Sequence, residues 1–249
     1  MKRACLRGLI AASICTLAPS CGDSSSERPP MVFAAASLTE VFEELRVAWR
    51  RQHPDAELDL HFAGSSRLVV QIREGAPVDV FASADHVNMD KVADELIAEP
   101  PRIFARNHLA IVVSAGNPEG IEGLRDLERR ELKVALCGPE VPAGRYARQA
   151  LAKAGVSVSS VSDEPSVKAL VSKVRLGELD AGVVYSTDVL AAGDGVGRVE
   201  ITGDFDVEAE YPIAVLSAGG RRDSAASFVA YVLSDEGQAV LHRFGFRSP

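Results

Sequence analysis

The chain has 249 residues, 47% hydrophobic and 25% charged, a mixture that suits a soluble protein with enough apolar material for one large domain or two lobes. Its 20 Gly and 13 Pro are near ordinary usage, which argues against a collagen-like or wholly disordered chain. A formal charge of −8, no basic cluster in the body and only 6% aromatic residues argue against a nucleic-acid surface.

The first twenty residues differ in kind from the rest. Lys2, Arg3 and Arg7 precede an uncharged, mostly apolar stretch at 8–18, too short to span a bilayer, which needs about 20 residues. A charged start, a short apolar middle and small residues at the end predict an export signal over 1–20. Ala18-Pro19-Ser20-Cys21 resembles the lipobox of bacterial lipoproteins, although Ala18 holds the place where Leu is usual. That resemblance implies cleavage before Cys21, lipidation of Cys21, and anchoring to the outer face of the cell membrane; the plainer reading is an ordinary secretory signal. Residues 21–30 then form a flexible Ser- and Pro-rich tether. Loss of Lys2, Arg3 and Arg7 leaves a charge of −11. Cys5 and Cys15 go with the signal, so Cys137 is left with no disulfide partner and reads as a small buried hydrophobe.

Past the tether, short apolar runs alternate with amphipathic stretches. The pattern predicts a strand at 31–35, then a helix at 37–53 that buries Leu38, Val41, Phe42, Leu45 and Trp49. Ser37 and Glu40 have capping-box spacing at its start. A strand at 58–63, a helix at 65–74 closed by Gly75, a strand at 78–83 and a helix at 86–97 follow. Further strands are expected at 109–114 and 132–137, and helices at 142–154, ending at Gly155, and at 165–176, with Pro165 near the first turn. Strands at 181–185 and 210–216 precede two final helices near 223–233 and 235–244. This alternation predicts an α/β fold with mainly parallel sheets.

In such sheets ligands bind beyond the carboxyl ends of the strands, where helix N-termini present unpaired N–H groups and partial positive charge. Five junctions stand out. Ala34-Ala35-Ala36-Ser37 and Ala63-Gly64-Ser65-Ser66 combine small residues with Ser at a helix start. Pro142-Ala143-Gly144 and Pro165-Ser166-Val167 can offer backbone N–H groups, and Val184-Tyr185-Ser186 ends a strand on a phenol. Each alone reads as capping or packing; the recurrence of the Ser design at two of them favours a shared oxyanion site.

The same residues carry a family resemblance. Ala34-Ala35-Ala36-Ser37-Leu38-Thr39, Gly64-Ser65-Ser66, and Gly75-Ala76-Pro77-Val78-Asp79-Val80-Phe81-Ala82-Ser83-Ala84-Asp85 resemble the molybdate-binding proteins of bacterial ABC importers. So do Pro139-Glu140-Val141-Pro142-Ala143-Gly144-Arg145-Tyr146, Gly182-Val183-Val184-Tyr185-Ser186-Thr187-Asp188, Glu210-Tyr211-Pro212-Ile213-Ala214-Val215 and Phe244-Gly245-Phe246, in an order that covers 31–247. The resemblance implies a two-lobed periplasmic-binding-protein-like (type II) fold with two chain crossings at a hinge. Lobe 1 would comprise 31–107 plus 216–249, and lobe 2 would comprise 108–215. By the same resemblance Ser37, Ser65, Ala143, Val167 and Tyr185 bind molybdate, and tungstate, through N–H and O–H donors. The partners implied are an ABC permease and its ATPase subunit, with a monomeric receptor, membrane contact through the lipid only and no cofactor. Arg67 and Arg145 either add positive charge near the cleft or, on the plainer reading, are solvated.

Donor-only lining suits an ion with no proton of its own. Hydrogen phosphate would need an acceptor, and sulfate is smaller. A receptor for sulfate or another oxyanion is therefore the main alternative. An exported hydrolase using Ser37 or Ser65 is the lesser one: Gly64-Ser65-Ser66-Arg67-Leu68 lacks the last Gly of a nucleophile elbow, and none of the five His has a motif linking it to either Ser. Those His also lack zinc-ligand spacing and read as surface or helix-end residues.

Overall fold

The computed structural model describes residues 28–249 apart from 55, 218 and 219; the expected signal, Cys21 and most of the tether lie outside the described residues. The described residues build two five-stranded sheets. The first begins with β1 (Met31–Ala35), α1 (Thr39–Gln52), β2 (Asp59–Ala63), α2 (Ser65–Arg73), β3 (Val80–Ala82), α3 (His86–Leu96) and β4 (Arg102–Asn107). At His108 the chain crosses into the second sheet. That lobe comprises β5 (Leu109–Ser114), β6 (Val134–Cys137), α4 (Pro142–Ala154), β7 (Asp163–Glu164), α5 (Val167–Arg175), β8 (Ala181–Tyr185), α6 (Ser186–Ala192) and β9 (Val196–Glu200). A return crossing over 201–208 leads to β10 (Ala209–Val215), α7 (Arg222–Val232) and α8 (Asp235–Arg243).

The first sheet runs β2-β1-β3-β10-β4 and the second β7-β6-β8-β5-β9. Each has a single strand against the common direction, β10 in the first and β5 in the second. The sheets are thus mainly parallel, as expected. The lobe boundary expected at 215/216 needs correction. β10 pairs with β3 and β4, Ile213 opposite Ala82 and Tyr211 opposite Ala105, so the return to lobe 1 precedes 209. Pro212 stands in this central strand because the register shifts between Tyr211 and Pro212. A residue without an N–H fits inside a sheet at such an irregularity.

Three strands and a helix were not apparent as such in the sequence: β4, β7, β9 and α6. The capping box also needs correction. A 3-10 turn, Ala36–Leu38, precedes α1, neither start carries a side-chain cap, and the Ser37 hydroxyl is engaged elsewhere.

The core of lobe 1 forms where α1 and α7 cover the first sheet. Phe42, Trp49, Phe104 and Phe228 meet edge-on at 5.8–6.0 Å between ring centres, the arrangement aromatic quadrupoles favour. Cys137 is fully buried, and burial raises its thiol pKa well above the ordinary value, so it packs as a hydrophobe.

Asp79, 1% exposed, ties the beginning of lobe 1 together. It accepts bonds from Arg28 Nη1 at 2.6 Å, Met31 N at 2.8 Å and Arg221 N at 3.0 Å. Replacing it with Ala leaves two backbone donors without this acceptor. Asp79→Ala is expected to lower unfolding stability by about 2–4 kcal/mol in urea denaturation, most of it from the backbone N–H groups that lose this acceptor rather than from partly exposed Arg28.

Candidate functional site

The sheets meet through the carboxyl ends of their parallel strands. Ser37 lies in the 3-10 turn after β1, Ser65 is the first residue of α2, Ala143 is second in α4, Val167 is first in α5, and Tyr185 ends β8. All five are buried, none more than 5% exposed. The N–H groups of Ser37, Ser65, Ala143 and Val167, at helix beginnings, are those for which a helix supplies no acceptor.

Specific contacts draw these junctions together. The Ser37 hydroxyl lies 3.1 Å from the Tyr211 hydroxyl, and the Tyr211 ring is 5.6 Å from that of Tyr185 in the other lobe. Ser65 Oγ accepts from Ala84 N at 3.2 Å, which joins the start of α2 to the loop before α3 and leaves the Ser65 proton free to be donated. A Cβ built on Gly64 would lie 2.4 Å from the Pro165 carbonyl, so the beginnings of α2 and α5 touch across the lobes. On Gly144 a Cβ would lie 2.2 Å from the carbonyls of Cys137 and Gly138; only glycine lets α4 start this close to the end of β6.

Ion pairs flank this contact. Lys168 in α5 reaches both oxygens of Glu40 in α1 at 2.7 and 2.6 Å. Arg145 in α4 holds Asp85, the N-cap of α3, with Nε at 3.1 Å. Arg145 is therefore not solvated as expected: its charge spans the two lobes, whereas Arg67 is exposed. Lys91 and Glu140 form a third cross-lobe pair at 3.3 Å. His108, expected at the surface, lies in the first crossing and pairs through Nδ1 with Asp206 of the return crossing at 2.6 Å.

The Tyr185 hydroxyl is one of the buried groups these contacts leave over. It is buried and has no hydrogen-bond partner among the described residues. Burial, then the nearby hydroxyls of Tyr211 and Tyr146 and the charges of Asp85 and Asp188, raises its pKa well above the ordinary phenol value, so it keeps its proton and can donate. Asp188 accepts from Tyr185 N at 3.3 Å and lies 3.8 Å from Lys168. Burial pushes its carboxyl up to about 7, against the lowering pull of Lys168 and the Tyr185 N–H. Sequence reasoning missed Tyr211, Glu40, Lys168, Asp85 and Asp188 as parts of this region. No cluster of three or more His, Cys, Asp or Glu suited to a metal occurs among the described residues.

This architecture has counterparts among known proteins. The chain is 37% identical to the molybdate-binding protein ModA of Mycobacterium tuberculosis, over 97% of each chain. It superimposes on the periplasmic molybdate-binding protein of Azotobacter vinelandii with a TM-score of 0.79 at 19% identity, covering 88% of this chain and 99% of that one. On the sulfate-binding protein SubI of Mycobacterium tuberculosis the TM-score is 0.80 at 18% identity, covering 88% and 86%. These two likenesses establish the fold, type II two-lobed as expected. A family model for bacterial extracellular solute-binding proteins matches residues 30–247, a span that takes in both sheets and both crossings, and the chain belongs to that family.

Proposed function

We propose that the chain is the substrate-binding subunit of a molybdate importer, which holds the oxyanion through Ser37, Ser65, Ala143, Val167 and Tyr185 and delivers it to an ABC permease with its ATPase subunit. The observation that carries this reading is the buried, protonated, unpartnered Tyr185 hydroxyl, set where helix beginnings of both lobes meet. A relative 37% identical over nearly its whole length, and named as molybdate-binding, supports it. The receptor works as a monomer, tethered through acylated Cys21 once the signal is removed.

Molybdate carries two charges and no proton at neutral pH, so it presents only acceptors. Donors from both lobes satisfy those oxygens without a counter-ion. Hydrogen phosphate brings one donor that needs an acceptor, and an unmatched buried polar group costs about 1–3 kcal/mol. Tungstate matches molybdate in charge and nearly in size, so it binds too. A sulfate receptor is the second reading, favoured by the likeness to SubI. The smaller ion would sit loosely between donors spaced for the larger one.

Calorimetric titration of the purified protein with molybdate, sulfate and phosphate tests this. One-to-one molybdate binding is expected, about 10–100-fold weaker in Ser37→Ala and Tyr185→Phe. Sulfate binding tighter than molybdate would move the assignment to the second reading.

Lobe closure gives a separate expectation. Gly64 has φ −58° and ψ 137°, open to any residue, so Gly64→Ala leaves each lobe's backbone unstrained. In the structure, where the two lobes touch here, its methyl group would meet the Pro165 carbonyl, a clash that an opened form would relieve. Affinity should fall by about tenfold or more while the unliganded melting temperature shifts little.

Asp188 adds a pH dependence. Below about pH 7 its carboxyl is protonated and neutral; above that it is an anion near the bound dianion. Ligand binding favours the protonated form, so affinity should be level below pH 7 and fall as pH rises past it. In Asp188→Asn, whose amide oxygen still accepts from Tyr185 N, titrations from pH 6 to 9 should show a flat profile.

A further inference from the structure

We propose that Asn107 and Tyr211 are positioning residues that hold Ser37 as an obligate donor toward the cleft, and so set the preference for proton-free over protonated oxyanions. The proposal rests on the reading of the cleft as an oxyanion site and adds to it the origin of the selectivity.

Four buried side chains form one hydrogen-bonded chain: Thr187 at 4% exposure, Asn107 at 1%, Tyr211 at 0% and Ser37 at 5%. Three of the four could donate or accept, and an amide can be turned end for end, so the direction of such a chain is ordinarily open. Here one backbone group settles it. His108 N donates to Asn107 Oδ1 at 2.9 Å, and a backbone N–H can only donate. The oxygen of the amide is therefore the end at His108, and Nδ2 faces Thr187 Oγ1 at 2.8 Å and Tyr211 Oη at 3.4 Å.

The rest follows by the supply of protons. Tyr211 accepts from Asn107, so its own proton goes to the other neighbour of its hydroxyl, Ser37 Oγ at 3.1 Å. Burial raises the Tyr211 pKa well above the ordinary phenol value, so that proton stays on. Ser37 accepts from Tyr211, and its hydroxyl has no other bond among the described residues. Its proton is left for the cleft. Asn107 ends β4 directly before the first crossing, so the donor polarity of the site is anchored in hinge backbone.

An oxyanion without a proton gains from a donor at every contact. A protonated one would place its O–H where a lone pair is needed, and Ser37 held this way cannot turn one toward it. In Tyr211→Phe the Ser37 hydroxyl is released and can donate or accept. In Asn107→Asp one carboxylate oxygen still receives the His108 N–H, but the other can only accept. The Tyr211 proton then turns to Asp, Ser37 donates to Tyr211, and a lone pair faces the ligand.

The test is competitive titration of molybdate against phosphate at pH 8 on the native protein, Tyr211→Phe and Asn107→Asp, with melting curves of each unliganded form. The molybdate-to-phosphate affinity ratio is expected to fall about tenfold in Tyr211→Phe. In Asn107→Asp it should fall further, with molybdate binding itself the more weakened of the two. A purely structural role would weaken both anions by one factor, and an unchanged ratio in either folded variant overturns the proposal. Should Tyr211→Phe fail to fold, the near-isosteric Asn107→Asp decides on the same ratio. Failure of the native protein to bind either anion would instead overturn the oxyanion reading itself.

Discussion

A helix begins with N–H groups that its own backbone cannot satisfy, and this chain gathers several such beginnings at one place. α2, α4 and α5 and the 3-10 turn ahead of α1 all start at the carboxyl ends of strands, and the two sheets turn those ends toward each other. Close approach depends on residues without bulk: Gly64 against the Pro165 carbonyl, and Gly144 against the carbonyls at the end of β6. A side chain at either position would hold the donors apart. The small residues at these junctions and the buried donors thus go together: the first bring the helix beginnings close, and the second are groups the helices themselves cannot satisfy.

The protein is acidic, yet the carboxylates at the lobe junction are matched. Glu40 is held by Lys168 and Asp85 by Arg145, each pair running from one lobe to the other. Asp188 is the partly matched case, capped onto Tyr185 N and 3.8 Å from Lys168, and burial shifts its titration accordingly. Distant surface charge is screened within about 10 Å at ordinary ionic strength, so local dipoles and pairs set the field in the cleft.

Much of this was legible in the sequence where local signals agree. The helix over 142–154 and the strand over 181–185 match their expected bounds, because Pro142, Gly155 and an unbroken apolar run mark them. β4 and β9 did not show, since Arg102, Arg106, Gly197 and Arg198 interrupt their apolar pattern and only pairing to a neighbour makes them strands. β7 is two residues long and has no periodicity to read. The lobe boundary was set too late because nothing local to 209–215 says which sheet accepts it. The five junction residues could be found one by one, as each lies at a strand-to-helix turn. Tyr211 and Asn107 could not: they lie 104 residues apart, and their meeting exists only after the chain has crossed the hinge twice.

Asp79 has a mechanical consequence. It grips Arg28 and the first residue of β1, at the end of that strand remote from the cleft, and it also holds the backbone at Arg221. Tension along the segment leading into Arg28 is therefore taken up by lobe 1 alone, through this clamp and the β1 ladder. Neither His108 nor 201–208, the two links between the lobes, lies on that path. A pull at the amino-terminal end would be borne by lobe 1 and would not load the two links between the lobes.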